Sequence, residues 1–132
     1  GYMAEYFSMK IFFLSLLLIT SNYSLAAIST LEKNGEVSVM CSGGYIFVRD
    51  RGDGGVTQYM YWSKTDKKIK PAKCHQFGSG IRTIEQTGDL AVMCIGGYVF
   101  IRDRGDGGIT QYMYWNNTDK ATRPASCVKY AK

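Results

Sequence analysis

One histidine, two prolines and no Cys-x-x-Cys pair occur in the 132 residues. A structural zinc site takes four ligands, mostly cysteine and histidine at short spacings, so the chain offers no metal site of that kind. A Ser–His–Asp or Cys–His mechanism would have to use His75 alone. No window carries apolar residues at a helical period, which leaves strands as the way to build a core. A Gly-rich phosphate loop opening a helix is also missing, and no cofactor is implied. The net charge is +5, and Lys64, Lys67, Lys68, Lys70 and Lys73 are spread as a solvated turn and strand edge rather than packed into a nucleic-acid patch. No nucleic-acid partner is expected.

Fifteen glycines and ten tyrosines point to many turns joining aromatic-rich strands. The stretch from Gly43 to Trp62 (GGYIFVRDRGDGGVTQYMYW) returns from Gly96 to Trp115 at an offset of 53 residues. The only changes are Ile46/Val99, Val48/Ile101 and Val56/Ile109, each one β-branched apolar side chain for another. The duplication extends to Ile28–Gly80 and Ile81–Lys132, giving one repeat over residues 27–80 and a second over 81–132. Residues 1–26 precede both copies. Lys10, the apolar run Ile11–Ile19 and the small residues Ser24 and Ala26 have the anatomy of a secretory signal peptide cut after Ala26. The apolar run is shorter than the roughly 20 residues a spanning helix needs, so no stable membrane span is expected after cleavage. The expected location is periplasmic or secreted.

Cys41, Cys74, Cys94 and Cys127 lie 33 residues apart within each copy. An even number of cysteines in a small exported chain reads as disulfides, and the repeat favours Cys41–Cys74 with Cys94–Cys127. Within each copy Val37-Ser38-Val39-Met40-Cys41 alternates, Tyr45–Asp50 is a further strand, and Val56–Trp62 is the most aromatic one. Asn34-Gly35 reads as a hairpin turn, and Gly43-Gly44 as a second turn or a bulge. The expectation is an all-β protein of two tandem β-meander repeats forming one small disulfide-bonded barrel or sandwich about a pseudo-twofold, the alternative being two separate small barrels.

The charged loop Arg49, Asp50, Arg51, Asp53 and its copy Arg102, Asp103, Arg104, Asp106 are candidate ligand-binding tips, since loops on a rigid scaffold carry binding residues. The same residues also suit an ordinary turn whose Asp side chains bond the backbone. Strict alternation would place Met60 and Trp62 in the core, leaving Tyr59 and Tyr61 (copy: Tyr112 and Tyr114) as a rail able to stack on sugars or anchor a protein. The tripeptide Arg51-Gly52-Asp53 invites an adhesion reading, but its glycines are turn chemistry. Asp50 and Asp53 lack the ligand spacing of a calcium loop. As a glycosidase pair they are disfavoured, because Arg49 and Arg51 would depress both pKa values. Asn116-Asn117-Thr118 is a glycosylation sequon without a counterpart in the first copy. The resulting expectation is an exported, non-catalytic binding protein with two quasi-equivalent sites for a glycan or an envelope or extracellular protein. The alternatives are a structural or surface-assembly component and, below it, a carboxylate-dependent hydrolase.

Overall fold

A computed structural model describes residues 27–52, 54–105 and 107–130. The expected signal segment, Asp53 and Asp106 lie outside the described residues. The first repeat forms β1 (Ser29–Asn34), β2 (Val37–Ser42), β3 (Tyr45–Asp50), β4 (Gly55–Gln58), β5 (Met60–Ser63) and β6 (Lys68–Pro71), then a 3₁₀ turn at Cys74–Gln76. The second repeats this as β7 (Ile81–Thr87), β8 (Leu90–Ile95), β9 (Tyr98–Asp103), β10 (Ile109–Gln111), β11 (Met113–Asn116) and β12 (Ala121–Pro124), closed by a helical turn at Cys127–Tyr130. Each copy is a four-stranded antiparallel meander, β1-β2-β3-β4 or β7-β8-β9-β10, plus a two-stranded hairpin, β5-β6 or β11-β12. The all-β class and the two-repeat organisation are as expected.

Turn chemistry sets the registers. Asn34 pairs with Val37, so the first hairpin turns through Gly35-Glu36, one residue later than Asn34-Gly35. Gly35 has φ +61°, as a type II′ hairpin requires at its first central residue. Gly43 and Gly44 both have positive φ and join Ser42 to Tyr45 as a tight turn, not a bulge. The extra residue sits in β1 instead, where the register slips between Thr30 and Glu32, and the second copy repeats the slip between Thr83 and Glu85.

The expected single strand from Val56 to Trp62 is broken at Tyr59. Gln58 still pairs with β3, whereas Met60 pairs with Pro71 in the hairpin. Three backbone bonds hold the corner: Ile46 N–H to Ala72 O, Tyr59 N–H to Ile46 O and Ala72 N–H to Tyr59 O. Val99, Tyr112 and Ala125 repeat the triangle. Beyond the corner, the end of each hairpin arm is tied to its own sheet by the disulfides Cys41–Cys74 and Cys94–Cys127, the pairing expected from the repeat. No cysteine is free among the described residues.

Both faces of each sheet are apolar, because Ile46-Phe47-Val48 and its copy put a large residue on every position. Register places Val37, Val39, Cys41, Ile46, Val48 and Asp50 on one side, the cystine face. Met40, Phe47, Arg49 and Val56 share the other, the phenylalanine face. The main core joins the cystine face of the first sheet, through Val37, Val39, Ile46 and Val48, to the phenylalanine face of the second, through Ala91, Met93, Ile95 and Phe100. β1 lies against β7 and β4 against β10, each strand on its own counterpart. Both copies therefore build one sandwich, as expected, but opposite faces of the repeat meet. The relation is a head-to-tail stack rather than the expected pseudo-twofold. A smaller cluster of Val92, Cys94, Val99, Ala125 and Cys127 lies on the outer side of the second sheet, under Tyr114 and Tyr130.

Candidate functional site

The charged loops follow β3 and β9, and head-to-tail stacking gives the two copies unlike surroundings. In the first copy Asp50 faces inward and is buried. Its Oδ1 accepts the Gly52 amide at 3.0 Å, which shapes the loop. The same carboxylate accepts Arg102 Nε at 2.8 Å and Nη2 at 3.2 Å across the sandwich, and Arg102 Nη2 also donates to Glu36 at 3.1 Å. Burial by itself raises the Asp50 pKa, but the bonds from Arg102 and Gly52 and the guanidinium charge outweigh it and hold the carboxyl below its ordinary value. An ionised, bidentately held carboxylate cannot act as a general acid. Asp103 in the second copy forms the same loop bond, accepting the Gly105 amide at 2.9 Å, but it lies on the outer face of its sheet beside Leu90. Arg49, the counterpart of Arg102, is exposed on the outer face of the first sheet. Arg51 and Arg104 are exposed. Arg104, Arg102, Glu36 and Asn34 line an open cavity of about 430 Å³ at the loop end of the sandwich.

The tyrosines divide in the same way. Tyr59 is core: it touches Phe77, Tyr98 and Phe100 with ring centroids 5.5–5.9 Å apart. Its hydroxyl donates toward the carbonyls of Ile95 at 3.1 Å and Gly96 at 2.9 Å, and burial pushes its pKa well up. Tyr112, its counterpart, is exposed and makes the matching edge-on ring contact to Tyr130, at 5.8 Å. Tyr61 packs on the main core and Tyr114 on the outer cluster. Lys129 Nζ stands 4.4 Å from the Tyr114 ring and donates to its hydroxyl at 3.1 Å. Bonds from Asn116 and Lys129 lower the Tyr114 pKa. The structure thus gathers Asp50 and Arg102 but does not bring either loop to its own tyrosine pair.

Several residues that hold the copies together carried no sequence signal by themselves. Gln111 is buried, accepting Met60 N–H at 2.8 Å and donating to Met60 O at 2.9 Å, so that it completes the edge of β5. Arg123 lies 4.4 Å from the Trp62 ring centroid and pairs with Asp119 at 3.0 Å. Trp62, Tyr98, Tyr114 and Arg123 line a cleft of about 360 Å³ between the two hairpins. The signal for Gln111 and Trp62 was their place inside the near-identical stretch, which marks an interface as readily as a ligand site.

Gly96 and Gly43 separate backbone strain from contact between the copies. Both have φ near +60°, so alanine costs each about 1 kcal/mol in backbone conformation. A Cβ on Gly96 would lie 2.6 Å from both Tyr59 Oη and the Phe77 ring, whereas one on Gly43 meets nothing within 4 Å. Gly96→Ala is expected to destabilise the protein by about 2 kcal/mol more than Gly43→Ala, the cost of overpacking. Paired urea titrations measure the difference, and equal losses would mean that Tyr59 is not seated against Gly96.

Comparison with known protein families, with characterised proteins and with solved structures gives no match. No described helix is long and apolar enough to cross a membrane, and no described group of three His, Cys, Asp or Glu is placed to hold a metal ion.

Proposed function

We propose that the protein is an exported, non-catalytic assembly component that docks a protein through the phenylalanine face of its first sheet. The observation that carries this reading is the open groove of about 290 Å³ lined by Ile28, Met40, Phe47, Arg49 and Val56. The same positions in the second copy (Ile81, Met93, Phe100, Arg102 and Ile109) are filled by the first sheet. The partner chemistry follows from that filling: an apolar sheet face of Val, Ile and Tyr, with a carboxylate placed to meet Arg49. Catalysis is left out because Asp50 is committed to Arg102 and the cysteines to disulfides.

A photo-crosslinking residue at Val56, in cells exporting the protein, should give a protein adduct in the envelope or medium. The same residue at Lys67, on the exposed β5–β6 turn, should not. Equal labelling at both positions, or none at Val56, would count against the docking face.

A glycan reading is favoured by one feature only, the aromatic and basic cleft of Trp62, Tyr98, Tyr114 and Arg123. On that reading Tyr114→Ala abolishes oligosaccharide binding in calorimetry and leaves the Val56 adduct unchanged.

A further inference from the structure

Each repeat has a cystine face and a phenylalanine face, and inside the chain one of each is used. The phenylalanine face of the first sheet is left outward, and on the cystine face of the second the edge at Leu90 is open while Cys94 and Val99 lie under the copy's own closing segment. These two faces are the same surfaces, in nearly the same sequence, that meet in the core. Paired positions show the difference in burial. Ile81 is 6% exposed and its counterpart Ile28 is 67%; Ile109 is 8% and Val56 62%; Val37 is 1% and Leu90 53%. The outward cystine face also has an open hollow of about 250 Å³, lined by Leu90, Val92, Ile101 and Tyr130 among others.

We infer that the partner is a second copy of this chain, and that copies stack head to tail with the second repeat of one on the first repeat of the next. This rests on the reading that the open phenylalanine face docks a protein, and it names that protein. The step that carries the first repeat onto the second, applied once more, sets the next first repeat in place. Four of the links seen inside the chain then have their equivalents between chains; the Asn34 Nδ2 bond to the Ile81 carbonyl is not among them, because Thr87 stands where Asn34 does. Arg49 meets Asp103 and Asp89 of the next copy, as Arg102 meets Asp50 and Glu36. The Tyr112 hydroxyl reaches the carbonyls of Ser42 and Gly43, as Tyr59 reaches those of Ile95 and Gly96. Gln58 takes the backbone of Met113, as Gln111 takes that of Met60. Trp115, an exposed tryptophan, receives Lys70 as Trp62 receives Arg123. The receiving parts are already formed: Tyr112 and Tyr130 hold the edge-on arrangement of Tyr59 and Phe77, and Gly43 is open where Gly96 is covered.

The junction between chains is weaker than the one within the chain. Ser42 stands where Ile95 fills the core, and Lys70 replaces Arg123. Association is therefore concentration-dependent and salt-sensitive. A contact between unlike faces propagates as a filament, or closes as a ring where the rotation allows.

Sedimentation velocity on the purified, disulfide-intact chain tests this. The average mass of the wild type should rise with concentration. Val56→Arg blocks one end and Leu90→Arg the other; both side chains are exposed, so each variant should keep the wild-type circular dichroism and melting temperature and run as a monomer. A 1:1 mixture of the two should form a dimer and grow no further, because one competent face remains on each. Arg49→Glu should weaken wild-type association at least tenfold, and it replaces Val56→Arg if that variant does not fold. A wild type that stays monomeric, a mixture that does not associate, or one blocked variant that assembles like the wild type each overturns self-stacking. If the wild type is monomeric while Val56 crosslinks to another protein, docking stands and the second copy is wrong. If there is no adduct at all, both fall.

Discussion

Reduction of both disulfides is expected to abolish cooperative folding at neutral pH. Each bond joins residues 33 apart in the chain. In the chain-entropy model a loop of that length is worth about 3.5 kcal/mol. The loops do not overlap, so together they approach about 7 kcal/mol, against a total of roughly 5–15 kcal/mol for a domain. The packing gives a reason to expect the upper part of that effect. Each hairpin arm meets its own sheet through the corner at Tyr59 or Tyr112 and through the disulfide, with few other attachments. Releasing the arm uncovers one side of the main core in the first copy, where Cys74 and Phe77 pack against it. In the second copy the bond lies inside the outer cluster, where Cys94 and Cys127 are themselves buried. Cys94→Ala with Cys127→Ala should therefore cost more than Cys41→Ala with Cys74→Ala. Urea unfolding with and without dithiothreitol, and of the two double variants, measures both statements. A reduced chain that still unfolds in one sharp transition near the oxidised midpoint would refute the first. The opposite order of the double variants would refute the second.

What the sequence disclosed was whatever is coded locally or by the repeat. The two copies and their cysteine pairs follow from the offset, and Gly43-Gly44 marks a turn because only positive φ at both residues joins Ser42 to Tyr45. The corner at Tyr59 was hidden because Val56–Trp62 alternates well enough for one strand. The hairpin that captures Met60 is set by contacts with Pro71 distant in sequence. The face that each sheet buries was hidden for a different reason. With apolar residues on both sides of β2, β3 and their copies, alternation cannot choose, and near-identical sequences suggest identical environments. A partial signal lay in the differences between the copies. Ser42, half-buried on the first phenylalanine face, becomes the fully buried Ile95 on the second, which is the face buried in the core. Reading that change as a response to burial would have made the copies unequal from the start. It would also have placed Asp50 and Tyr59 inside the protein.

Asp50→Ala is expected to cost about 3 kcal/mol, the lower end of what breaking a buried ion pair costs. The lower end applies because Arg102, whose side chain is 12% exposed, keeps one bond to the solvent-facing Glu36. The loss is not only of attraction, since it leaves a largely buried guanidinium without its closest acceptor and the Gly52 amide without its loop bond. Asp50→Asn keeps the shape and an acceptor for Gly52 but removes the charge, so it should cost less, about 1–2 kcal/mol. The pH dependence distinguishes an ionic role from a steric one. The Asp50 carboxyl is depressed below its ordinary value of 3.8 in the folded protein. A group lowered on folding adds stability that is fully present above the unfolded pKa and disappears as the pH falls through the folded one. The gap in urea midpoint between wild type and Asp50→Asn should thus be constant from neutral pH down to about pH 5 and close progressively below pH 4. Glu36, on the same guanidinium, should leave the neutral-pH midpoint nearly unchanged when replaced by Gln, since it is exposed and its pair is screened by solvent. A gap between wild type and Asp50→Asn that persists unchanged to pH 2.5 would mean that Asp50 acts through its hydrogen-bond geometry alone. The charge of Arg102 would then have no part in joining the two repeats.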